Sequence, residues 1–242
     1  METIKNRGIS YCLISNGKKN DKLLMAVRAI HNTMRESDSL YDITIAGVVD
    51  AINGVNCIDA TYEAENGYIS RMRNMAAKES KYSTLVFLDD DILLNGDFYD
   101  TLKSYSKCKP WDILGVKLLL PDGGRCWDRA TINPHTMIGY DDEPSSLLYQ
   151  TGGFMVIRKC IWLNHQWADH LKFYEGEDVE YSKRLQNNGY TIAFDKENTA
   201  WHYDEGYQQV NMACLRKKDF GIVSECLHTE NFKQLLNEVA DV

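Results

Sequence analysis

The chain has 242 residues, of which 44% are hydrophobic, enough to bury the core of one large domain without disulfide bonds. Its formal net charge of −8 argues against a nucleic-acid partner, because neutralising phosphates requires a basic surface. No apolar run approaches the roughly 18 residues of a membrane-spanning helix, and METIKNRGIS lacks the apolar core of a signal peptide, so we expect no transmembrane segment and a cytoplasmic location.

The first half of the chain alternates between strand and helix patterns. Short apolar, β-branched runs predict strands, and apolar residues at helical spacing predict helices. In chain order these are a strand at 8–15, a helix at 21–36, a strand at 43–51, a helix at 67–80, a strand at 85–88 and a helix at 96–106. The alternation predicts a parallel sheet with helices on both faces and ligands at the carboxyl ends of its strands.

The alternation is less regular after Pro110. Residues 113–132 predict a strand, a PDGG turn and a return strand, and a polar loop follows at 133–150. The remaining predicted elements are a strand at 152–158, a helix at 177–189, a strand at 190–194 and a helical segment at 206–242. With no repeat and no linker, we expect a single domain over 1–242.

Three adjacent aspartates, Asp89, Asp90 and Asp91, follow the apolar strand LVFL. Neighbouring carboxylates repel one another and raise each other's pKa unless a cation neutralises them. In an extended backbone Asp89 and Asp91 share a face, while Asp90 points the other way. The spacing fits a divalent-metal site, and it fits equally well a solvated turn in which one aspartate caps the next segment.

Two other interpretations of DDDILL are disfavoured by the residues that follow the aspartates. A calcium loop of the EF-hand type needs an oxygen ligand at its fifth position and glycine at its sixth, where this chain has Leu93 and Leu94. A phosphohydrolase with an aspartate nucleophile usually has Thr or Val where Leu93 stands, and its motif lies near the start of the chain.

A second acidic cluster lies in FYEGEDVEYSKRL, residues 173–185. The helix dipole stabilises acidic side chains in a first turn, and Glu180 with Arg184 makes an i,i+4 pair, so much of this pattern has an ordinary structural explanation. The glycine and the aromatic residue before the acidic pair are better explained by a backbone that approaches a sugar ring. Downstream, His202 lies between aromatic residues; such a histidine is commonly structural and gains meaning only beside other ligands.

In this order the features resemble glycosyltransferases of the GT-A fold. The resemblance covers roughly residues 8–205: an N-terminal strand and nucleotide loop, a strand ending in Asp, an R-x-R-N helix, a strand ending in DDD, a GGF strand, a G-E-D helix and a downstream His. The resemblance is to the large inverting family (family 2-like) that includes bacterial polysaccharide and cell-surface transferases. The G-E-D and His elements are also similar to galactosyltransferases that build lactose-type linkages.

The resemblance implies an α/β, Rossmann-like GT-A fold with a mainly parallel central sheet, flanking helices and a smaller acceptor-side β region. Residues 1–110 would form the nucleotide-sugar half, and 111–205 the acceptor-binding and catalytic half. Residues 206–242 would be a helical segment that serves as a lid. The polar stretch at 125–145 is the expected variable acceptor region, in which Trp127 could stack on a sugar or simply pack.

The resemblance also implies roles for the matching residues. Asp89 and Asp91 would hold a divalent metal with His202, and this ligand set favours Mn²⁺ over Mg²⁺. Asp178 would be the catalytic base, and Glu177 would hold the acceptor. The residues implied in nucleotide binding are Ser15 and Asp50 at the base, Asp90 at the ribose or donor sugar, and Arg73 with Asn74 on the supporting helix.

The implied activity is metal-dependent transfer of one sugar from a nucleoside-diphosphate donor, with a UDP-sugar favoured, to an acceptor hydroxyl. The acceptor would be a glycan or a lipid-linked or protein-linked molecule, and the anomeric centre would invert. The absence of the QxxRW motif favours single transfer over polymerisation. Alternatives are a retaining transferase and an inactive nucleotide-sugar or glycan binding module, while the single glycine of ISNGKK disfavours a sugar-nucleotide pyrophosphorylase.

Overall fold

The computed structural model describes residues 8–35, 37–132, 135–142 and 148–203. The strands are β1 (Gly8–Ser15), β2 (Leu40–Gly47), β3 (Asn56–Asp59), β4 (Thr84–Asp89), β5 (Ile92–Leu94), β6 (Ile113–Leu119), β7 (Arg129–Ile132), β8 (His135–Met137), β9 (Leu148–Gln150), β10 (Phe154–Arg158) and β11 (Ile192–His202). The helices are α1 (Asn20–Met34), α2 (Thr61–Glu65), α3 (Ile69–Glu79), α4 (Phe98–Cys108), α5 (Lys159–Asn164) and α6 (Glu177–Asn187). The segment predicted at 206–242 lies outside these residues, so its helical structure and the single domain stay predictions.

Eight strands form one mixed sheet in the order β3-β2-β1-β4-β10-β6-β11-β5. The first four are parallel, which confirms the prediction for the first half of the chain. β10 then runs antiparallel to both β4 and β6, and β5 runs antiparallel to β11. The sheet is therefore less parallel than predicted. β10 runs in the opposite direction because it starts at the edge where β4 ends. There the N–H of Asp89 donates to the carbonyl of Gly153 at 3.0 Å.

A second, three-stranded antiparallel sheet has the order β8-β7-β9. The predicted hairpin at 113–132 is wrong in its return strand, which meets β6 only at the bridge between Leu119 and Arg125 and then leaves to pair with β8 and β9. The predicted loop at 133–150 contains β8 and β9. Strands of three or four residues are too short to show a reliable alternation of apolar and polar side chains.

Helices cover both faces of the large sheet, as the alternation predicts. Tyr11 and Leu13 of β1 pack into the core beneath α1 and α4. Cys12 and Ile14, which alternate with them, pack into the opposite core with α3, α5 and α6. Among the helices of the described ranges, none has the length and apolar character needed to cross a membrane.

Candidate functional site

A cavity of about 430 Å³ opens at the edge of the large sheet where β1 and β4 end and β10 begins. The start of α6 and the end of β11 contribute to its wall. Apart from Asp50 and Asn74, the site residues predicted from the sequence line it: Ser15, Arg73, Asp89, Asp90, Asp91, Glu177, Asp178 and His202. The fold thus gathers side chains that are far apart in the chain at one place.

Asp50 is exposed and lies outside the lining of this cavity. The sequence predicts a strand at 43–51, but β2 ends at Gly47. The φ of Gly47 is 153°, and a Cβ at this position would lie only 1.9 Å from the carbonyl oxygen of Ser15. The chain leaves the sheet here, before it reaches Asp50. The position of Asp50 therefore lends no support to a role in base binding.

The three aspartates have different partners. Asp89 is the last residue of β4, and Asp90 and Asp91 form the turn into β5, so the extended geometry predicted for all three ends at Asp89. Asp90 accepts a hydrogen bond from the Ser15 hydroxyl at 2.7 Å. Asp91 is 2% exposed, and its Oδ2 accepts from Lys19 Nζ at 2.5 Å. The turn thus directs each carboxylate toward a different partner in the site.

Burial, reinforced by repulsion between these carboxylates, raises the pKa of Asp89 and Asp90. Burial is the main cause at Asp90; the Ser15 hydrogen bond opposes it, repulsion from Asp91 and Asp89 reinforces it, and the pKa reaches about 6. The pKa of Asp89 is raised first by withdrawal from water and then by Asp91, while Arg73 opposes the rise. Perturbed carboxylates in a cleft are typical of functional sites.

Asp90 should make the stability of the metal-free protein depend on pH. Its folded-state pKa of about 6 exceeds the ordinary 3.8. Ionisation of Asp90 therefore destabilises the folded state relative to the unfolded chain as the pH rises through 6. We expect Asp90→Asn to raise the free energy of unfolding by roughly 2 kcal/mol at pH 7 and by less than half as much at pH 4.5. Urea denaturation in a chelator tests this; equal gains at the two pH values would contradict it.

Arg73 joins the aspartate turn to α6. Its buried guanidinium donates from Nη1 to Glu177 Oε1 at 3.1 Å and from Nη2 to Asp89 Oδ1 at 3.2 Å. Burial lowers the pKa of Arg73, but the two carboxylates outweigh this effect, so the net pKa is raised and the group stays charged. The guanidinium also lies 4.8 Å from the centroid of the Trp167 ring. Arg73 therefore contacts protein carboxylates and has the geometry of a positioning residue.

Two neighbours make this arrangement possible. A Cβ at Gly152 would lie 3.0 Å from both terminal nitrogens of Arg73, so a larger residue in the GGF segment would crowd the guanidinium. Asn74, beside Arg73 on α3, does not line the cavity. Its Oδ1 accepts from the Trp167 backbone N–H at 3.0 Å and from Trp162 Nε1 at 3.1 Å. Asn74 thus fixes the segment that carries the ring beneath the guanidinium.

The start of α6 presents Asp178 to the cavity. Gly176 precedes the helix with a φ of 75°, a left-handed conformation that glycine adopts readily. Asp178 is half-buried; its Oδ2 accepts from the Gly152 N–H at 3.1 Å, and its Oδ1 accepts from the Val179 N–H at 2.8 Å. Each carboxylate oxygen can accept a second hydrogen bond. Asp178 is therefore held in place and can still accept a proton from a ligand.

Asp91 and His202 supply the donor atoms that best fit a divalent cation. Nε2 of His202 lies 3.6 Å from Oδ1 of Asp91. Two ligands about 2.1 Å from one ion are about 3 Å apart at right angles and about 4.2 Å apart when opposite, so both atoms could contact one ion. Asp89, in contrast, is bonded to Arg73. Within the described ranges, no three His, Cys, Asp or Glu side chains are grouped to hold a metal.

Sequence reasoning missed Lys19 in the lining. It noted the GGF strand and an aromatic residue before the acidic pair, but not that Gly152, Phe173 and Tyr174 line one cavity. A lysine in a polar loop carries no signal that separates it from its neighbour Lys18. Phe173 and Tyr174 did carry one, since adjacent large aromatics in a polar segment are unusual. Tyr174 is 90% exposed and has a φ of 67°, which is uncommon for any residue other than glycine. Exposure together with backbone strain is a common property of functional loops.

No model of a known protein family matches the chain, and no curated protein matches it in sequence. The functional assignment therefore depends on the fold and on the cavity.

Proposed function

We propose that the protein is a metal-dependent glycosyltransferase of the GT-A type, which moves one sugar from a nucleoside-diphosphate donor to an acceptor hydroxyl with inversion. A UDP-sugar is the favoured donor. The main support is that Ser15, Asp91, Asp178 and His202, which lie far apart in the chain, line one cavity at the carboxyl ends of parallel strands. This is where Rossmann-like sheets bind nucleotides.

The donor would bind along β1 and the aspartate turn. The Ser15 hydroxyl fixes Asp90, so that Asp90 can accept a hydrogen bond from the ribose or the donor sugar. Asp91 and His202 would hold the cation, with Mn²⁺ favoured. When bound, a divalent ion acts as a Lewis acid that stabilises the charge developing on the diphosphate leaving group.

Asp178 would act as the general base. An acceptor hydroxyl is a poor nucleophile near neutral pH, so a carboxylate within hydrogen-bond reach must take its proton as it attacks the anomeric carbon. The backbone N–H groups of Gly152 and Val179 hold the Asp178 carboxylate at the cavity wall. Glu177 is bonded to Arg73 through Oε1, and its other oxygen would hold the acceptor.

The cavity rim favours a carbohydrate acceptor. Phe173 is 54% exposed and Tyr174 is 90% exposed, and both line the cavity beside α6. Aromatic rings combined with a few polar groups are typical of small-molecule sites, and the apolar face of a sugar ring packs well on such rings. Trp127 is held within the protein by a hydrogen bond from its Nε1 to the Tyr149 hydroxyl at 2.7 Å, so packing is part of its role.

Thermal stabilisation by nucleotides and nucleotide sugars, with and without Mn²⁺, tests the proposal. A ligand at 100 times its dissociation constant adds about 2.7 kcal/mol, and we expect a shift that requires both Mn²⁺ and one nucleotide family. Asp91→Ala should remove this shift. Asp97→Ala is the matched control, since Asp97 is exposed and outside the cavity lining.

Two results would contradict these assignments. If no nucleotide shifts the wild-type protein in Mn²⁺, the proposed function is wrong. If the Mn²⁺-dependent shift survives in Asp91→Ala, Asp91 is not the metal ligand. Asp91→Asn, which keeps the shape of the side chain, separates loss of the ligand charge from loss of folding.

A further inference from the structure

Lys19 places an ammonium group on the carboxylate that is best placed to hold a metal. It is the last residue before α1, and its Nζ lies 2.5 Å from Oδ2 of Asp91, while His202 faces Oδ1. The side chain of Asp91 is 3% exposed and that of Lys19 is 31% exposed. The carboxylate is therefore fixed in the protein, whereas the lysine reaches it from the rim of the cavity.

The lysine and the arginine of the described lining differ in exposure and in side-chain flexibility. Arg73 is buried between Asp89 and Glu177, and its planar fork matches both carboxylates. Lys19 carries its charge on a flexible four-carbon stem that is partly in water, so leaving Asp91 costs it less. Of the two cations, Lys19 is the one that can exchange.

The charges of the lining explain why such a cation is needed. The carboxylates that face the cavity in the described residues are Asp89, Asp90, Asp91, Glu177 and Asp178. Without a cation on Asp91 this wall would repel a diphosphate, which is itself an anion. A divalent ion attracts a carboxylate about twice as strongly as an ammonium does at the same distance, so it can replace the lysine.

We propose that Lys19 is a tethered cation that occupies Asp91 until a divalent ion displaces it, and that the released ammonium then binds the diphosphate of the nucleotide. The inference rests on the proposed function, since it requires a metal and a diphosphate in this cavity. Lys19 precedes α1, so its ammonium stays near the amino end of a helix, where phosphate is favoured. The metal then binds before the nucleotide.

Two titrations with Lys19→Met test this mechanism through effects of opposite sign. In calorimetry without nucleotide, Lys19→Met should bind Mn²⁺ about five- to tenfold more tightly than the wild type, because its competitor is gone. In saturating Mn²⁺, the same variant should bind UDP about fivefold more weakly, because a phosphate partner is lost. Lys18→Met is the matched control: Lys18 is adjacent, exposed and outside the lining, and both affinities should stay at the wild-type values.

The competing explanation is that Lys19 only holds the Asp91 side chain in position and does not exchange with a metal. In that case Lys19→Met would bind Mn²⁺ equally or more weakly, which would overturn the inference. Unchanged UDP affinity in Lys19→Met would overturn the claim that the released ammonium binds the diphosphate. Lys19→Arg keeps a cation and should show no gain in Mn²⁺ affinity; a gain there would also contradict it. If neither wild type nor Lys19→Met binds Mn²⁺ without nucleotide, the inference is overturned. The proposed function fails only if nucleotides in Mn²⁺ also leave the wild type without a thermal shift, so the two failures are distinguishable.

Discussion

Asp178→Asn should lower turnover of the nucleotide sugar about a thousandfold while leaving Mn²⁺-dependent nucleotide binding intact. The amide keeps the shape of the carboxylate but cannot take a proton. Gly152 and Val179 donate to different oxygens of Asp178, so the single oxygen of asparagine can accept from only one of them. The rate of sugar release from the donor, with water or a glycan as acceptor, measures the loss. Thermal stabilisation by the nucleotide measures binding separately.

Glu180→Gln provides the control on the same helix. Glu180 is about a third exposed and pairs with Arg184 at 2.6 Å, and it does not line the cavity. A surface pair of this kind contributes little, so turnover should stay within about twofold of wild type. Retained turnover in Asp178→Asn would show that Asp178 is not the base, and it would reopen the retaining alternative, in which this helix has another role.

The strands and helices that are long enough to show a periodic pattern of apolar residues could be predicted from the sequence. The strand predicted at 8–15 is β1, and the helix predicted at 67–80 contains α3, because both are long enough to show their period. The aspartate turn was recognisable because three like charges directly follow a buried strand. Parallel strands place their carboxyl ends at one edge, so a shared site could be expected there.

The remaining features depend on contacts that have no local signature. The direction of β10 is set by where the chain enters the sheet, and the alternation along 152–158 is the same for either direction. β5 has only three residues and is fixed by pairing with β11, which brings His202 beside Ile92. Arg73 and Glu177 are 104 positions apart, so nothing near either residue indicates their ion pair.

That ion pair makes Arg73 the connection between the two halves of the proposed site. Asp89 ends the strand that leads to the proposed metal ligand, and Glu177 precedes the proposed base by one residue. One guanidinium bonds both carboxylates and sets the distance between the segments that carry them. Lysine could bond one of the two, but it lacks the fork that reaches both.

Arg73→Met should destabilise the folded protein by about 3–5 kcal/mol, because it leaves Asp89 and Glu177 without their buried counter-charge. Arg73 opposes the rise in the pKa of Asp89, so removing this cation raises the folded-state pKa of Asp89 further, and the stability from such a group is lost as the pH rises through that pKa. The loss should therefore be larger at pH 8 than at pH 5. Urea denaturation of the metal-free protein at both pH values measures this difference.

Arg71→Met is the matched control for Arg73→Met. Arg71 lies two residues away on α3, half-buried, and its Nε donates to the carbonyl of Asp169 at 3.0 Å, so its replacement should cost only about 1 kcal/mol with little pH dependence. A loss in Arg73→Met that is equal at both pH values would mean that packing against Trp167 dominates, and the charge bridge would not be the link between the turn and α6. A loss that grows with pH identifies carboxylate repulsion as its cause, and a glycosyltransferase would then need Arg73 for the relative placement of its metal ligand and its base.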